Sequence, residues 1–442
     1  MAFLSLSLLC VSFGALADRQ AQPKNIIFIL ADDLGYGDVG AFGNDLIRTP
    51  NIDELANEGI SLTGFYTSGN VCTPSRAGIM TGQYPIRTGL ADRTINIGDE
   101  RGLKPQSVSL PEKLSQLGYK TALIGKWHLG DKEAYHPENH GFDEFYGLLY
   151  SNDEPNQQML NGREKEGAFS AETLTLDFTE KSLTFIRDNR DTPFFLFLSY
   201  TAPHKPLIPS KNFAGKSKAG AYGDVVEELD WAVGQLMKEL HAQGLGDDTL
   251  IIFTSDNGPF PEGSTGGLLG GKGSAWEGGY RVPFIARWPE VIEAGSSSPA
   301  MTMNIDIMPT LVTLAGGTEE DIPEVDGKDI FPVLSQGKPS PHDVLYFFNN
   351  ERIAALRTPR WRLMLSDYPP WRDAQPIRFE GKKNLSTLLH DMNVVPSQQY
   401  DLSRDFPNEK RHLLELLKQG RNTLESLSKQ PDSTQFDNSH HN

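Results

Sequence analysis

The sequence predicts an α/β protein: a large, mostly parallel sheet sandwiched by helices, with a smaller C-terminal α+β subdomain. Three observations carry that expectation. Several short apolar runs lack the alternation of one-sided strands, helical patterns fall between them, and the texture changes near Ser335. A chain of 442 residues, 38% hydrophobic, can bury one large core and a smaller one beside it.

The first run follows a short leader. Residues 1–17 read as a signal peptide: Phe3 to Ala15 are largely apolar, and Ala15-Leu16-Ala17 is a small-x-small cleavage pattern, although no Lys or Arg follows Met1 directly. The leader is too short to span a membrane, and no later stretch is long and apolar enough. Export to the periplasm or beyond a bacterial cell is the expectation. Cys10 would leave with the leader, so the mature chain would keep only Cys72 and form no internal disulfide.

Residues 18–340 hold the main domain. Asn25–Leu30, Thr121–Ile124, Phe194–Tyr200 and Leu250–Ser255 read as buried parallel strands, covered on both faces. The clearest helix runs from about Tyr222 to Gln243. Val225, Leu229, Val233, Leu236 and Leu240 form its apolar stripe, and Gly244 suits its C-terminal cap. Ile305–Gly317 reads as another helix ended by glycine. Strands alternating with helices give the α/β sandwich. Residues 341–428 read as a small antiparallel sheet, with "VLYFF" and "RWRLML", and a polar helix near Asn408–Leu427. Residues 429–442 form a polar tail.

A net charge of −17 argues against nucleic-acid binding as a bulk function. An anionic substrate would need local cations, because the global field repels it.

Two strand ends carry oxygen ligands. Asp32 and Asp33 follow the first run; Asp256 and Asn257 follow the last. Ligands of open α/β sheets bind beyond the carboxyl ends of strands. Hard oxygen donors suit Ca²⁺ or Mg²⁺. A two-zinc phosphatase would place histidines here, whereas Asp-Asn points to one hard cation. Either pair alone reads equally well as turn and cap residues.

"SGNVCTPSRAGIMTGQYP", Ser68 to Pro85, holds the remaining thiol. Pro74 fits the first turn of a helix. Cys72 then lies at the positive end of that helix, with Arg76 one turn further along the same face. Read alone, Cys72 is an ordinary buried cysteine in a glycine-rich turn. Further cations recur along the chain. Lys126 and His128, two apart in "GKWHLG", face one side of an extended segment. His204 follows an apolar strand in "TAPHKP", and Lys272 sits in the glycine-rich "GGKGSAWEGG".

"CTPSRAGIMTG" resembles the C-x-P-S-R signature of the type I sulfatases, within the alkaline-phosphatase-like superfamily. "ILADDLGYGD", "GKWHLG", "APHKP", "SDNG", "GGKGSAWEGG", "DIMPTLVTLAG" and "QYDLSRDFPNEK" follow in the family's order and cover nearly the whole mature chain. The resemblance implies that a formylglycine-generating enzyme oxidises Cys72 to formylglycine. Its hydrate would attack sulfur through one oxygen, and the other would later help expel sulfate. It implies one Ca²⁺ held by Asp32, Asp33, Asp256, Asn257 and the modified Cys72. Arg76 would hold the diol and its neighbours in place. Lys126 and Lys272 would bind sulfate oxygens, His128 would act as a base, and His204 would protonate the leaving alcohol. Ser151, in "LYSND", matches a serine found near the sulfate in some members.

The alcohol is less legible. "SDYPPWRDAQPIRFE" offers Tyr368, Trp371, Arg372 and Arg378 as a wall for a sulfated sugar, or as a surface loop. His136 and His140 either line the leaving-group pocket or hydrogen-bond a loop. Compartment and family together imply a sulfated polysaccharide fragment, such as a carrageenan-type galactan or a glycosaminoglycan. The alternatives are a phosphonate or phosphate ester hydrolase on the same scaffold, and a non-catalytic protein that binds sulfated glycans.

Overall fold

The computed structural model describes residues 22–365, 387–394, 398 and 400–425. The leader, the tail 429–442, and Tyr368, Trp371, Arg372 and Arg378 lie outside the described residues.

The four predicted strands form the middle of a ten-stranded sheet. Asn25–Ala31 is central, parallel to Phe194–Ser199 on one side and Thr249–Ser255 on the other. Lys120–Lys126 and Glu144–Leu148 continue the parallel array. Antiparallel Phe284–Arg287 and Met159–Asn161 extend it on either side. The sheet is therefore mixed and mostly parallel, as expected.

Both faces of the central strand are covered, which explains its unbroken apolar run. Ile26, Phe28 and Leu30 face one core with Leu110, Leu114, Met308 and Leu311. Ile27, Ile29 and Ala31 face another with Phe178, Val226, Leu229, Val233 and Leu236. The last four come from the helix Gly220–Ala242, whose predicted stripe is buried along its length. The helix expected at Ile305 starts as a 3₁₀ turn, Asn304–Asp306, and continues as Ile307–Leu314.

The C-terminal part is a four-stranded antiparallel sheet: Leu345–Asn349, Arg352–Arg357, Trp361–Leu365 and Thr387–Asp391. Helix Pro407–Gly420 packs on it through Leu413 and Leu417 and passes into a π turn, Arg421–Glu425. A buried ion network joins this sheet to the main domain. Glu277 accepts from Arg362 Nη1 at 2.7 Å and from Tyr66 Oη at 2.9 Å, with Arg281 at 3.4 Å.

Candidate active site

Strand register delivers the polar residues to one edge. Leu30 lies opposite Ser199 and Thr254, and Gly125 opposite Ser199. The chain beyond each strand therefore leaves the sheet at nearly one level. Asp32 and Asp33 emerge from one strand and Asp256 and Asn257 from its neighbour, and Lys126 holds the last paired position of a third. All five are buried.

Cys72 reaches this edge on the helix Cys72–Thr81, which begins at that residue. Val71 before it is extended at φ −145°, and Gly82 closes the helix at φ 65°. Gly69 permits the approach: a Cβ there would stand 2.7 Å from Ser75 N. Asn304 clamps the turn, accepting from Ser68 N–H and donating to Ser75 Oγ, each at 2.8 Å.

Asp32, Asp33, Cys72 and Asp256 each bring a ligand atom within 4.8 Å of the others. Cys72 Sγ lies 3.4 Å from Asp32 Oδ1 and 3.3 Å from Lys272 Nζ. Lys272 Nζ pairs with Asp33 Oδ1 at 2.6 Å, and Lys126 Nζ with Asp32 Oδ2 at 2.5 Å. Arg76 spans Asp256 Oδ2 through Nε and Nη2, both at 2.9 Å. Its Nη1 donates to Lys126 O at 2.9 Å and Ser199 Oγ at 2.6 Å.

The donor set fits a hard cation. Asp33 Oδ2 and Asn257 Oδ1 are buried with no hydrogen-bond partner. Asn257 Nδ2 donates to Asp33 Oδ1 at 2.7 Å and to Gly258 O at 2.9 Å, which leaves its carbonyl unmet. A buried acceptor without a partner is costly unless a cation or water meets it. A divalent ion would also relieve the crowding of three carboxylates.

Electrostatics divide the carboxylates. Burial would raise Asp32, but Lys126, His204, Arg76 and Lys272 hold it well below the usual carboxylate range. Burial and the Asp32 charge push Asp256 up. Burial, followed by Asp256 and Asp32, also pushes the Cys72 thiol up, so the thiol itself is a poor nucleophile here. Burial opposes the charge on Lys272, but Asp33, Cys72, Asp32 and Asp256 together keep it a firm cation.

The two histidines have set tautomers. His128 Nε2 faces Ile95 O at 2.8 Å, so that nitrogen carries the proton and donates. Its Nδ1 is buried, unpartnered and free to accept. Burial, Lys126 and Arg76 depress the proton affinity of the ring. The extended-segment expectation for Lys126 and His128 is corrected: His128 takes φ 63°, because its strand ends at Lys126 and the chain turns. Thr73 Oγ1 fixes the turn by donating to His128 O at 3.0 Å. His204 Nδ1 donates to Lys205 O at 2.7 Å and lies 3.3 Å from Ser151 Oγ. Its Nε2 sits 3.6 Å from Asp33 Oδ2.

The structure thus brings Asp32, Asp33, Cys72, Arg76, Lys126, His128, Ser151, His204, Asp256, Asn257 and Lys272 to one place. The contacts of His136 and His140 are with other residues. His136 packs edge-on against Phe145 and accepts from Glu138 N–H, while His140 lies beside Trp127. Sequence reasoning passed over Ser199, which holds Arg76, and Phe260, whose ring lies 4.6 Å from Lys272 Nζ. Ser199 had a signal, as a polar residue closing a buried strand; Phe260 had none.

Similarity to known proteins places the chain in a family. The description of the Sulfatase family matches residues 24–317, and that of the N-sulphoglucosamine sulphohydrolase C-terminal region matches residues 271–366. Human steryl-sulfatase is 36% identical over 431 residues, spanning 76% of this chain and 74% of that protein. Rat N-acetylgalactosamine-6-sulfatase is 37% identical over 377 residues, spanning 78% and 72%. The protein Ps i-CgsB, solved in complex with k-i-k-neocarrahexaose, superposes with a TM-score of 0.80 at 28% identity, covering 93% of this chain and 94% of that one.

Proposed function

The chain belongs to the sulfatase family and is a sulfuric ester hydrolase, and from that premise we propose that it releases sulfate from sulfated carbohydrates. One observation carries the site assignment: Cys72 Sγ lies at a buried helix start, within reach of Lys272 and three carboxylates that fit a cation. Two similarities favour a sugar: rat N-acetylgalactosamine-6-sulfatase and the neocarrahexaose-bound protein. Human steryl-sulfatase makes a sterol sulfate the competing substrate. Among the described residues no helix is long and apolar enough to cross a membrane.

In this reading Asp32, Asp33, Asp256 and Asn257 hold Ca²⁺, and a maturation enzyme converts Cys72 to formylglycine. When present, the ion would screen the sulfate charge and the modified side chain would supply an oxygen nucleophile. The remaining steps belong to the chain itself. Lys126 and Lys272 offer ammonium donors to sulfate oxygens as negative charge grows. Arg76 fixes Asp256 and, through Lys126 O, the end of the strand Lys120–Lys126, which two strands separate from the one that delivers Asp256. His128 accepts a proton at Nδ1, because Ile95 O occupies the opposite nitrogen. His204 stays anchored through Nδ1–H on Lys205 O, and in its doubly protonated form it presents Nε2–H, beside Asp33, to the leaving oxygen.

The test is sulfate release from a panel of sulfated galactose, N-acetylgalactosamine and glucosamine oligosaccharides, with a steryl sulfate alongside. The chain is co-produced with a formylglycine-generating enzyme, and Cys72→Ala is the control. Release from a sugar by the parent alone supports the proposal. Release only from the sterol ester would replace the substrate class, and turnover of a phosphonate ester alone would replace the reaction.

A further inference from the structure

The leaving alcohol must meet His204 Nε2, so its carrier lies on the solvent side of that ring. Three residues build that side. Lys205 follows His204 in the chain; its carbonyl anchors the imidazole while its side chain runs outward, 47% exposed. Lys205 Nζ pairs with Glu262 Oε1 at 2.5 Å, and Glu262 is itself 36% exposed. Phe260 lies beneath the pair, its ring centre 5.1 Å from Lys205 Nζ. The same ring is 4.6 Å from Lys272 Nζ and meets His204 edge-on at 5.9 Å. One half-buried aromatic ring therefore touches the sulfate-side lysine, the proton donor and the rim ion pair.

The segment is pinned in place. Lys272 N–H donates to Pro259 O at 2.8 Å, Gly263 N–H to Phe260 O at 3.0 Å, and Ser264 N–H to Asp38 Oδ1 at 2.7 Å. A carboxylate that only accepts, an ammonium that only donates and an apolar ring face beside them match a sugar ring. Its hydroxyls can meet both charges while its C–H face lies on the aromatic. A sterol body offers the charged pair nothing. An exposed ion pair is weak enough for ligand hydroxyls to part it.

We propose that Lys205 and Glu262, bridged over Phe260, form the subsite that holds the sugar bearing the sulfate. The inference rests on the carbohydrate-sulfatase reading above and names the residues that select the sugar.

Two substrates and one binding measurement test it. A sugar monosulfate and 4-nitrophenyl sulfate are compared in Lys205→Ala and Glu262→Gln. The kcat/KM ratio of sugar ester to aryl ester should fall about tenfold in each, mainly through KM, because a site built for hydroxyls loses its partner. Equal losses on both esters would overturn the proposal, as would no loss on either. Calorimetry of the sugar monosulfate on Cys72→Ala, with and without Glu262→Gln, separates this idea from the hydrolase reading. Binding weakened about tenfold by Glu262→Gln supports the subsite even if no form releases sulfate. Unchanged binding retires the subsite whether or not the enzyme turns over.

Discussion

Among the described residues, the buried charge cluster at the seam and the one at the strand edge differ in what is left unmet. At the seam with the C-terminal sheet, Glu277 is surrounded by Arg362, Arg281 and Tyr66. The unpartnered atoms there include Nε of Arg357 and Arg362, and both guanidinium groups lie over aromatic rings, at 5.0 Å from Tyr66 and 4.1 Å from Phe347. Those two guanidinium groups rest on π faces, a stable arrangement, and the bare Nε2 of His390 is kept neutral there by burial. At the strand-edge centre the unpartnered atoms include acceptors: Asp33 Oδ2, Asn257 Oδ1 and His128 Nδ1. Unmet acceptors beside three carboxylates call for a cation or a proton. The seam reads as structure, and the strand edge as chemistry.

Breaking the seam should cost the most stability. Glu277→Ala leaves Arg362 buried without its acid, and urea unfolding should show a loss of about 3–5 kcal/mol. The Km and kcat of the molecules that remain folded should move far less. A large catalytic loss at unchanged stability would erase the distinction between the clusters.

Asp33→Ala attacks the other cluster. Turnover should fall about 10²–10³-fold, and calcium titration should show weaker binding. Chelation should reproduce the loss in the parent, lower its Tm, and be reversed by added Ca²⁺. Full activity after exhaustive chelation would contradict a metal at the strand edge.

Acid should trouble the seam through His390. Burial pushes this ring from 6.5 down to about 4. The unfolded chain binds the proton first, so this contribution to stability is complete above pH 6.5. It is lost as pH falls and levels off near pH 4, with a swing on the order of 3 kcal/mol. His390→Gln should flatten the stability profile across that window. An unchanged slope would mean that His390 is already charged in the folded protein.

Ser199→Ala should give the smallest effect. Arg76 keeps Asp256 and Lys126 O but loses one neutral partner, so kcat should drop no more than about tenfold with little change in Tm.

Much of this was legible in the sequence because it is local. Buried parallel strands announce themselves as apolar runs, and their register explains why residues just beyond Ala31 and Ser255 meet. The short strands Ser296–Ser298, at the edge, and Ile60–Leu62, next to it, carry too few residues to signal pairing, which depends on distant partners. The same limit hid Phe260, because its contacts with Lys205, Lys272 and His204 are tertiary. His128 was visible as a candidate, but its turned backbone was not, since "GKWHLG" gives no sign that the strand stops at Lys126.

The central claim is that Cys72 acts only after its conversion to an aldehyde. Peptide mass across Cys72 and sulfate release should be measured on the same preparations, made with varied amounts of the maturation enzyme. The account predicts turnover in proportion to the aldehyde fraction, and none from chains that keep the thiol. Full turnover from a preparation whose Cys72 is entirely thiol would contradict it.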